Sequence, residues 1–178
     1  MNIFILNSGR CGSTTFIKAC EHITNYTTGH ETRAHLTGDK RIDYPDNHIE
    51  ADNRLSWILG RIDNKFGAAA HYVHLSRNRE DTIASFVKRS HFGIMKAYKE
   101  GILLGGNNQR PEQIAEDYLD TIETNISLFL KDKPLKSLFR LEHAEKDFIN
   151  FWDQINAQGE LKMALQEWQF HHNASIQS

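Results

Sequence analysis

Two polar segments of the chain hold residues that could bind an anionic ligand. The first is SGRCGSTTF, residues 8–16, with two glycines, four hydroxyl side chains, one arginine and one cysteine. It lies between an apolar run and a helical pattern, and the backbone N–H groups at a helix start favour negative charge. Glycine allows a ligand to approach the backbone closely, and arginine offers a planar fork suited to an oxyanion. We predict that an anion binds to Gly9, Arg10, Cys11, Gly12, Ser13, Thr14 and Thr15.

This loop matches neither of two common phosphate-binding patterns. It lacks the lysine of the triphosphate loop G-x-x-x-x-G-K-[ST]. It also fails the pattern C-x5-R, because the residue six positions after Cys11 is Ile17. Taken alone, the loop favours an anion site, and a serine-rich turn with an ordinary helix cap is the alternative.

The second polar segment is SRNREDTIAS, residues 76–85. Arg77 lies at the end of a predicted strand, and Ser85 follows eight residues later on the next predicted helix. A side chain at a strand exit and a hydroxyl two turns into a helix can converge on one phosphate group. Taken alone, the segment also fits a plain helix start, with Asn78 as the cap and two acidic residues complementing the helix dipole.

The composition is that of a globular protein. The length of 178 residues suggests one domain, residues 1–178, with 39% hydrophobic and 25% charged residues. The formal net charge of −2 argues against a general binder of nucleic acid or of a membrane surface. Two cysteines, Cys11 and Cys20, suit neither a zinc site nor a disulfide framework. With no signal-peptide pattern and no apolar run of membrane-spanning length, we expect a cytoplasmic protein.

Strand patterns alternate with helical patterns along the chain. Short apolar or β-rich runs predict strands at residues 2–6, 26–29, 71–75 and 137–141. Apolar residues that recur every three or four positions predict helices, including one from about Ile49 and one that begins at Pro111. We predict a loop at residues 33–48 and a mobile loop at 101–111. The alternation predicts a three-layer α/β/α fold, in which helices cover both faces of a short parallel sheet.

A polar cluster follows each of the four predicted strands. SGRCGST follows the first, HETR the second, SRNRED the third and Glu142 the fourth. The carboxyl ends of parallel strands meet at one edge of a sheet, where ligands of open α/β proteins bind. We therefore expect the four clusters to form one site.

Together, the two anion segments resemble the nucleotide motifs of the P-loop sulfotransferases, which use 3′-phosphoadenosine-5′-phosphosulfate (PAPS). RCGSTTF resembles their 5′-phosphosulfate loop, [KR]-S-G-T-T-[WL], and RNREDTIAS resembles their 3′-phosphate segment, R-N-P-x-D-x-x-x-S. LFRLEH, residues 138–143, looks like the family's later strand. Cys11 stands where the family usually has serine, and Arg79 where it has proline. The resemblance implies a fold similar to that of the P-loop NTPases and a PAPS-dependent enzyme.

The cluster after the second strand resembles the E-T-R segment of the tyrosylprotein sulfotransferases. There the glutamate, here Glu31, is the general base, and the arginine, here Arg33, helps to hold the acceptor. His30 is the alternative base, since many cytosolic sulfotransferases use histidine. An ordinary surface pair of glutamate and arginine is the alternative interpretation. Asp52 and Arg54, at the start of a predicted helix, are further candidates for binding the acceptor, although Asp52 also fits a helix cap.

The resemblance implies in-line transfer of a sulfuryl group from PAPS to a hydroxyl or amine, with 3′-phosphoadenosine-5′-phosphate as the product. Glu31 would take the acceptor's proton. Arg10 and the loop N–H groups would stabilise the negative charge that grows on the leaving oxygen. Arg77 and Ser85 would anchor the 3′-phosphate. Because a sulfuryl group carries less charge than a phosphoryl group, we expect no metal requirement.

Two other classes of function stay open at this point. One is a divergent nucleotide kinase or phosphotransferase, which would need Mg²⁺ and the missing lysine. The other is a non-catalytic nucleotide-binding module. The acceptor is open among a saccharide, a peptide and a small metabolite, and we expect residues 36–48 and 92–110 to shape its pocket. The tail Asn173–Ser175 resembles a segment that lies near the nucleotide in bacterial sulfotransferases.

The ten histidines predict no metal site. His71 and His74 have the spacing of side chains on opposite faces of a strand. His171 and His172 are adjacent, which is a poor geometry for chelation.

Overall fold

In this computed structural model, which describes residues 1–169, five strands form one parallel sheet. The strands are β1 (Ile3–Leu6), β2 (Thr27–His30), β3 (His48–Ala51), β4 (His71–Ser76) and β5 (Lys136–Arg140). Their spatial order is β2-β3-β1-β4-β5, and every neighbouring pair is parallel. The chain passes to one side of β1 for β2 and β3 and to the other side for β4 and β5. The loop after β1 therefore opens where the connections diverge, the usual place for a ligand in such sheets.

The described residues include seven α-helices. They are α1 (Ser13–Cys20), α2 (Leu59–Phe66), α3 (Arg79–Val87), α4 (Gly93–Ala97), α5 (Pro111–Leu130), α6 (Ala144–Gln154) and α7 (Leu161–Gln166). The predicted helix start at Pro111 is confirmed, since proline at the first position gives up no helical hydrogen bond. The predicted cap of α3 is also confirmed, because the Asn78 side chain accepts the N–H of Asp81 at 3.1 Å. Within residues 1–169, no helix is long and apolar enough to cross a membrane.

The described residues pack one hydrophobic core on each face of the sheet. Alternate side chains of a strand point to opposite faces, so Ile3 and Ile5 of β1 join the core under α1, α6 and α7. Phe4 and Leu6 join the core under α2, α3, α4 and α5. The predicted α/β fold with helices on both faces of a parallel sheet is confirmed.

The histidines of β4 point to opposite faces, as their spacing predicts. His71 Nε2 lies 2.6 Å from the Ser137 hydroxyl, and its ring contacts Phe151 of α6. His74 Nε2 lies 2.8 Å from Glu123 Oε2 of α5, on the other face. No group of three or more His, Cys, Asp or Glu side chains within residues 1–169 is arranged to hold a metal ion.

The sequence prediction missed β3. Residues 48–51 are a buried strand, whereas the apolar pattern predicts a helix from about Ile49. The polar residues His48 and Glu50 interrupt the apolar signal of this strand, and they are tolerated in the interior because they pair at 2.9 Å. The helical structure begins later, with a 3₁₀ helix at Asn53–Trp57 and then α2.

The predicted mobile loop at residues 101–111 overlaps the end of a helical segment. After α4, the chain forms a π-helical turn at Tyr98–Ile102. From residue 104 to residue 108 every backbone φ angle is positive. The helical segment contains Gly93 and Gly101, and glycine is a weak helix former, so the sequence gives little sign of a helix here. The predicted loop at residues 33–48 contains a 3₁₀ helix, Gly38–Ile42.

Candidate active site

The loop between β1 and α1 is held in an irregular shape by bonds to its backbone. Tyr118 donates its hydroxyl to the Ser8 carbonyl at 2.7 Å, and Ser56 donates its hydroxyl to the Asn7 carbonyl at 3.0 Å. The Asn7 side chain accepts the Gly9 N–H at 2.9 Å. These donors come from α5 and from the segment after β3, so neighbouring elements fix the path of the loop.

Left-handed backbone conformations turn this loop. The φ angles are 93° at Gly9, 62° at Arg10 and 88° at Gly12. Such conformations in a turn direct successive N–H groups toward one point and form anion-binding nests. A Cβ atom at Gly12 would lie 2.8 Å from Leu141 Cδ1, so the loop also packs too closely on the chain after β5 for a larger residue.

The start of α1 supports the anion site over an ordinary capped turn. The N-cap residue is Gly12, which has no side chain to accept the first N–H groups of the helix. Ser13, Thr14 and Thr15, in the first turn, line a cavity. A helix start with a glycine cap and hydroxyls around it is suited to an anion.

This cavity, of about 770 Å³, lies beyond the carboxyl edge of the sheet and has the size of a small-molecule site. Three of the four predicted polar clusters contribute to its lining; Glu142, the fourth, does not, and its Oε1 accepts the Asn78 N–H at 2.6 Å instead. The segments that follow all five strands line the cavity. They contribute Gly9, Arg10, Gly12, Ser13, Thr14 and Thr15 after β1, His30 and Glu31 at β2, Asn53 and Arg54 after β3, Arg77 after β4, and Leu141 and Ala144 after β5. The rest of the lining is Trp168 and residues of α3, of α4 and of the connection between them: Phe86, Arg89, Phe92, Gly93, Ile94 and Met95.

Arg10 connects the two predicted phosphate segments. Its Nε donates to the Ser85 hydroxyl at 2.9 Å. Arg77 Nη1 lies 3.5 Å from the Arg10 carbonyl oxygen, and another nitrogen of the same guanidinium lies 3.5 Å from Asp81. Arg77, Ser85 and the loop are thus parts of one surface. Ser85 itself lies behind Arg10 rather than in the cavity lining.

Positive charge accumulates on this surface. Burial lowers the pKa of the Arg10 guanidinium, and the neighbouring charges of Arg89 and Arg77 lower it further. A bound anion would relieve this repulsion. Arg89 was not predicted as a site residue, although it follows Ser85 by only four positions, just beyond the end of α3.

A second group of charges includes the two candidate bases. Glu31 has a left-handed backbone, with φ of 55°, and its Oε2 lies 2.9 Å from Arg54 Nη1. His30 Nε2 lies 3.0 Å from the hydroxyl of Ser13 in the anion loop. A non-glycine residue with a left-handed backbone, as at Glu31, is often found at functional sites. Both candidates line the cavity, so geometry alone keeps the glutamate and the histidine as possible bases.

Asp52 is a buried partner of Arg54. Its carboxylate is almost fully buried, accepts the Arg54 N–H at 2.8 Å and lies 3.5 Å from the Arg54 guanidinium. Burial raises the pKa of Asp52, and the hydrogen bond from the Arg54 N–H opposes that rise. The alternative that Asp52 caps a helix is confirmed, for the 3₁₀ helix that follows β3. Its contact with the site is through Arg54.

Arg33 points away from the cavity. Its Nη1 donates to the Lys40 carbonyl at 3.0 Å, and its guanidinium lies 5.4 Å from the centre of the Tyr44 ring. Within residues 1–169, the cavity lining includes residues 92–95 but no part of 36–48. One of the two segments expected to shape the acceptor pocket, residues 36–48, therefore lies elsewhere. Its residues Lys40 and Tyr44 contact Arg33 outside the cavity.

The Cys11 side chain lies in the hydrophobic core, with 1% of the residue exposed. Burial raises the pKa of this thiol to about 12, so it stays protonated and packs as a small apolar group. Only its backbone can face an anion in the loop. The predicted nucleotide contact at Asn173–Ser175 lies outside the described residues, as do His171 and His172.

No protein-family model and no curated protein matches the chain. Among solved structures, a "Sulfotransferase Domain from the Curacin Biosynthetic Pathway" aligns with 98% of this chain and 80% of its own, with a TM-score of 0.64 and 18% sequence identity. The chain has the fold of a sulfotransferase domain. The likeness is one of fold, and the roles of residues rest on the geometry above.

Proposed function

We propose that the protein transfers a sulfuryl group from PAPS to a hydroxyl or amine acceptor. The observation that carries this proposal is the bond between Arg10 and Ser85, which joins two cationic segments around one cavity. PAPS carries a phosphosulfate at its 5′ position and a phosphate at its 3′ position. A ligand with anionic groups on both sides of a ribose fits two such segments better than a ligand with one anionic end. The sulfotransferase fold supports the same assignment.

The residues present fit this nucleotide. The left-handed loop and the glycine cap of α1 suit the 5′-phosphosulfate. Arg77 and Arg89 line the cavity and supply guanidinium groups for the 3′-phosphate. ADP has no 3′-phosphate, so it would make no phosphate contact with the guanidinium groups of Arg77 and Arg89.

PAPS supplies an activated sulfuryl group, and the side chains of this protein hold and move the charges around it. Glu31 accepts the proton of the acceptor, and Arg54 holds its carboxylate in the cavity at 2.9 Å. Arg10 and the N–H groups of the loop stabilise negative charge at the 5′ end as it develops. Because Arg10 is already hydrogen-bonded to Ser85, little reorganisation is needed when that charge appears.

A transfer assay tests this function. The protein is incubated with PAPS that carries radiolabelled sulfate and with simple phenols, saccharides and tyrosine peptides as acceptors. We expect label in an acceptor and an equal amount of 3′-phosphoadenosine-5′-phosphate. Transfer of phosphate from ATP instead would identify a phosphotransferase. Nucleotide binding without transfer from either donor would identify a non-catalytic module.

A further inference from the structure

A buried carboxylate lies behind the segment that carries Glu31. Glu50 of β3 is fully buried and stands in register with Gly29 of β2. Its Oε1 accepts the N–H of Thr32 at 2.7 Å, and its Oε2 accepts the Thr32 hydroxyl at 2.8 Å. His48 Nε2 lies 2.9 Å from the same Oε2. Both oxygens of the carboxylate are therefore engaged.

The partners of this carboxylate are themselves held in place. His48 Nδ1 lies 2.8 Å from the hydroxyl of Thr27 on β2. The Tyr44 ring stacks on the imidazole, with ring centres 5.4 Å apart and planes 14° apart. A buried carboxylate is tolerated only when hydrogen bonds satisfy it. Here those bonds also tie β3 to the residue that directly follows Glu31.

These bonds fix the backbone on both sides of Glu31. The Glu31 N–H donates to the Ala51 carbonyl at 3.0 Å, and the next N–H, that of Thr32, donates to Glu50. Between these two anchors, Glu31 adopts its left-handed conformation. A residue of this type leaves that conformation unless its surroundings hold it there. Its carboxylate is thereby placed at the cavity, where it meets Arg54.

Gly29 leaves space for this arrangement. A Cβ atom at Gly29 would overlap both Glu50 Oε2 and Thr32 Cγ2. Only a residue without a side chain allows the carboxylate to reach Thr32 from β3. Gly29 is thus required for the hydrogen bonds between Glu50 and Thr32.

We propose that Glu50 is a positioning residue for the general base. It holds Thr32, and through Thr32 it keeps the backbone of Glu31 in the conformation that directs the base into the cavity. This inference rests on the proposed function, in which Glu31 accepts the acceptor's proton. Glu50 touches no substrate and acts only through its neighbours.

A double-mutant cycle tests this role. The variants are Glu50→Gln, Glu31→Gln and the combination of both, and each is assayed for kcat, acceptor KM and affinity for 3′-phosphoadenosine-5′-phosphate. We expect Glu50→Gln alone to lower kcat by about 10–100-fold, the cost of a misplaced catalytic group, with nucleotide affinity retained. On the Glu31→Gln background it should cause no further loss, because the group it positions is already absent.

A matched control separates positioning from stability. Glu123→Gln cuts another pair of a glutamate and a buried histidine, His74, outside the cavity lining. It should leave kcat unchanged even if it lowers the melting temperature. If Glu50→Gln does not fold, Thr32→Val removes one of the two bonds to Glu50 and takes its place in the cycle.

The outcomes separate this inference from the function on which it rests. A wild-type protein that transfers no sulfuryl group overturns the function. An active wild type whose Glu50→Gln variant keeps its kcat, or loses activity by the same factor with and without Glu31, overturns the positioning role. A crystal structure of Glu50→Gln gives a readout that does not depend on activity. It should show Glu31 out of the left-handed region and away from Arg54, and an unchanged Glu31 would refute the proposal.

Discussion

The Nε of Arg10 donates a hydrogen bond to the hydroxyl of Ser85 at 2.9 Å, although the two residues lie 75 positions apart. The bond joins the loop after β1 to the last turn of α3. Taken alone, the loop could be an ordinary serine-rich turn, and the segment at residues 76–85 could be an ordinary capped helix start. Their contact makes them two parts of one cationic surface.

Replacing Arg77 should remove the preference for a 3′-phosphate. We expect Arg77→Ala to weaken binding of 3′-phosphoadenosine-5′-phosphate by about 10–100-fold, since a hydrogen bond to an ionised group contributes about 1.5–3 kcal/mol. Binding of ADP should change much less, and calorimetric titration measures both. The matched control is Arg79→Ala, two residues further on at the start of α3, whose exposed guanidinium bonds to Asp120 at 2.6 and 3.1 Å. It should leave both affinities nearly unchanged. Equal losses for the two nucleotides in Arg77→Ala would argue against a 3′-phosphate contact.

Replacing the two candidate bases should have different effects. Glu31→Gln should lower turnover by about 10²–10⁴-fold, as for loss of a general base, while nucleotide affinity is retained. His30→Ala should act mainly on nucleotide affinity, because its ring contacts Ser13 in the anion loop. Steady-state kinetics and calorimetry on both variants distinguish the roles. The reverse pattern, with turnover lost in His30→Ala and kept in Glu31→Gln, would make the histidine the base.

A side chain at Gly12 should disrupt the anion loop. Gly12→Ala puts a Cβ atom 2.8 Å from Leu141 at a φ of 88°. We expect the free energy of unfolding to fall by about 1–3 kcal/mol and nucleotide binding to weaken strongly. Urea unfolding and calorimetry measure these effects. Gly60→Ala is the control, because Gly60 lies in α2 with open space around it. That variant should gain about 0.5–1 kcal/mol. A Gly12→Ala protein that binds nucleotide normally would show that the tight loop is unnecessary.

The buried Asp52 should make stability depend on pH. Burial raises its pKa in the folded state, so its contribution to stability is fully present below the unfolded pKa of about 3.9 and declines as the pH rises through the folded value. Asp52→Asn removes this titration and keeps an oxygen that can accept the Arg54 N–H. The free energy of unfolding of the variant should therefore gain on that of the wild type as the pH rises from about 4, and then level off. Urea unfolding across this range tests the prediction. A difference that is constant or shrinks with pH would contradict it.

The sequence predicted the parts of the fold and site that depend on local pattern. The apolar run of β1 and the glycines of the loop can be recognised in the sequence, and so can Arg77 before α3 and Ser85 within it. The parallel arrangement then brings their clusters together at one edge. These features follow from composition over a few residues and from the geometry common to all parallel sheets.

The parts that were missed depend on contacts between distant residues. The strand β3 contains His48 and Glu50, and only their pairing in the folded protein makes a buried strand of them possible. Arg33 shares a motif with Glu31, yet the path of the chain after β2 turns it toward Lys40 and Tyr44. Arg89 lies beyond the motif that includes Ser85, and its role in the cavity depends on how α3 packs beside the loop.

The most direct test of the central claim is a calorimetric titration of the unaltered protein with 3′-phosphoadenosine-5′-phosphate and, separately, with ADP. The two cationic segments predict that the bisphosphate binds at least about tenfold more tightly, the effect of one charge-assisted contact to the 3′-phosphate. Equal affinities for the two nucleotides, or no binding of either, would contradict the assignment of a PAPS-dependent sulfotransferase.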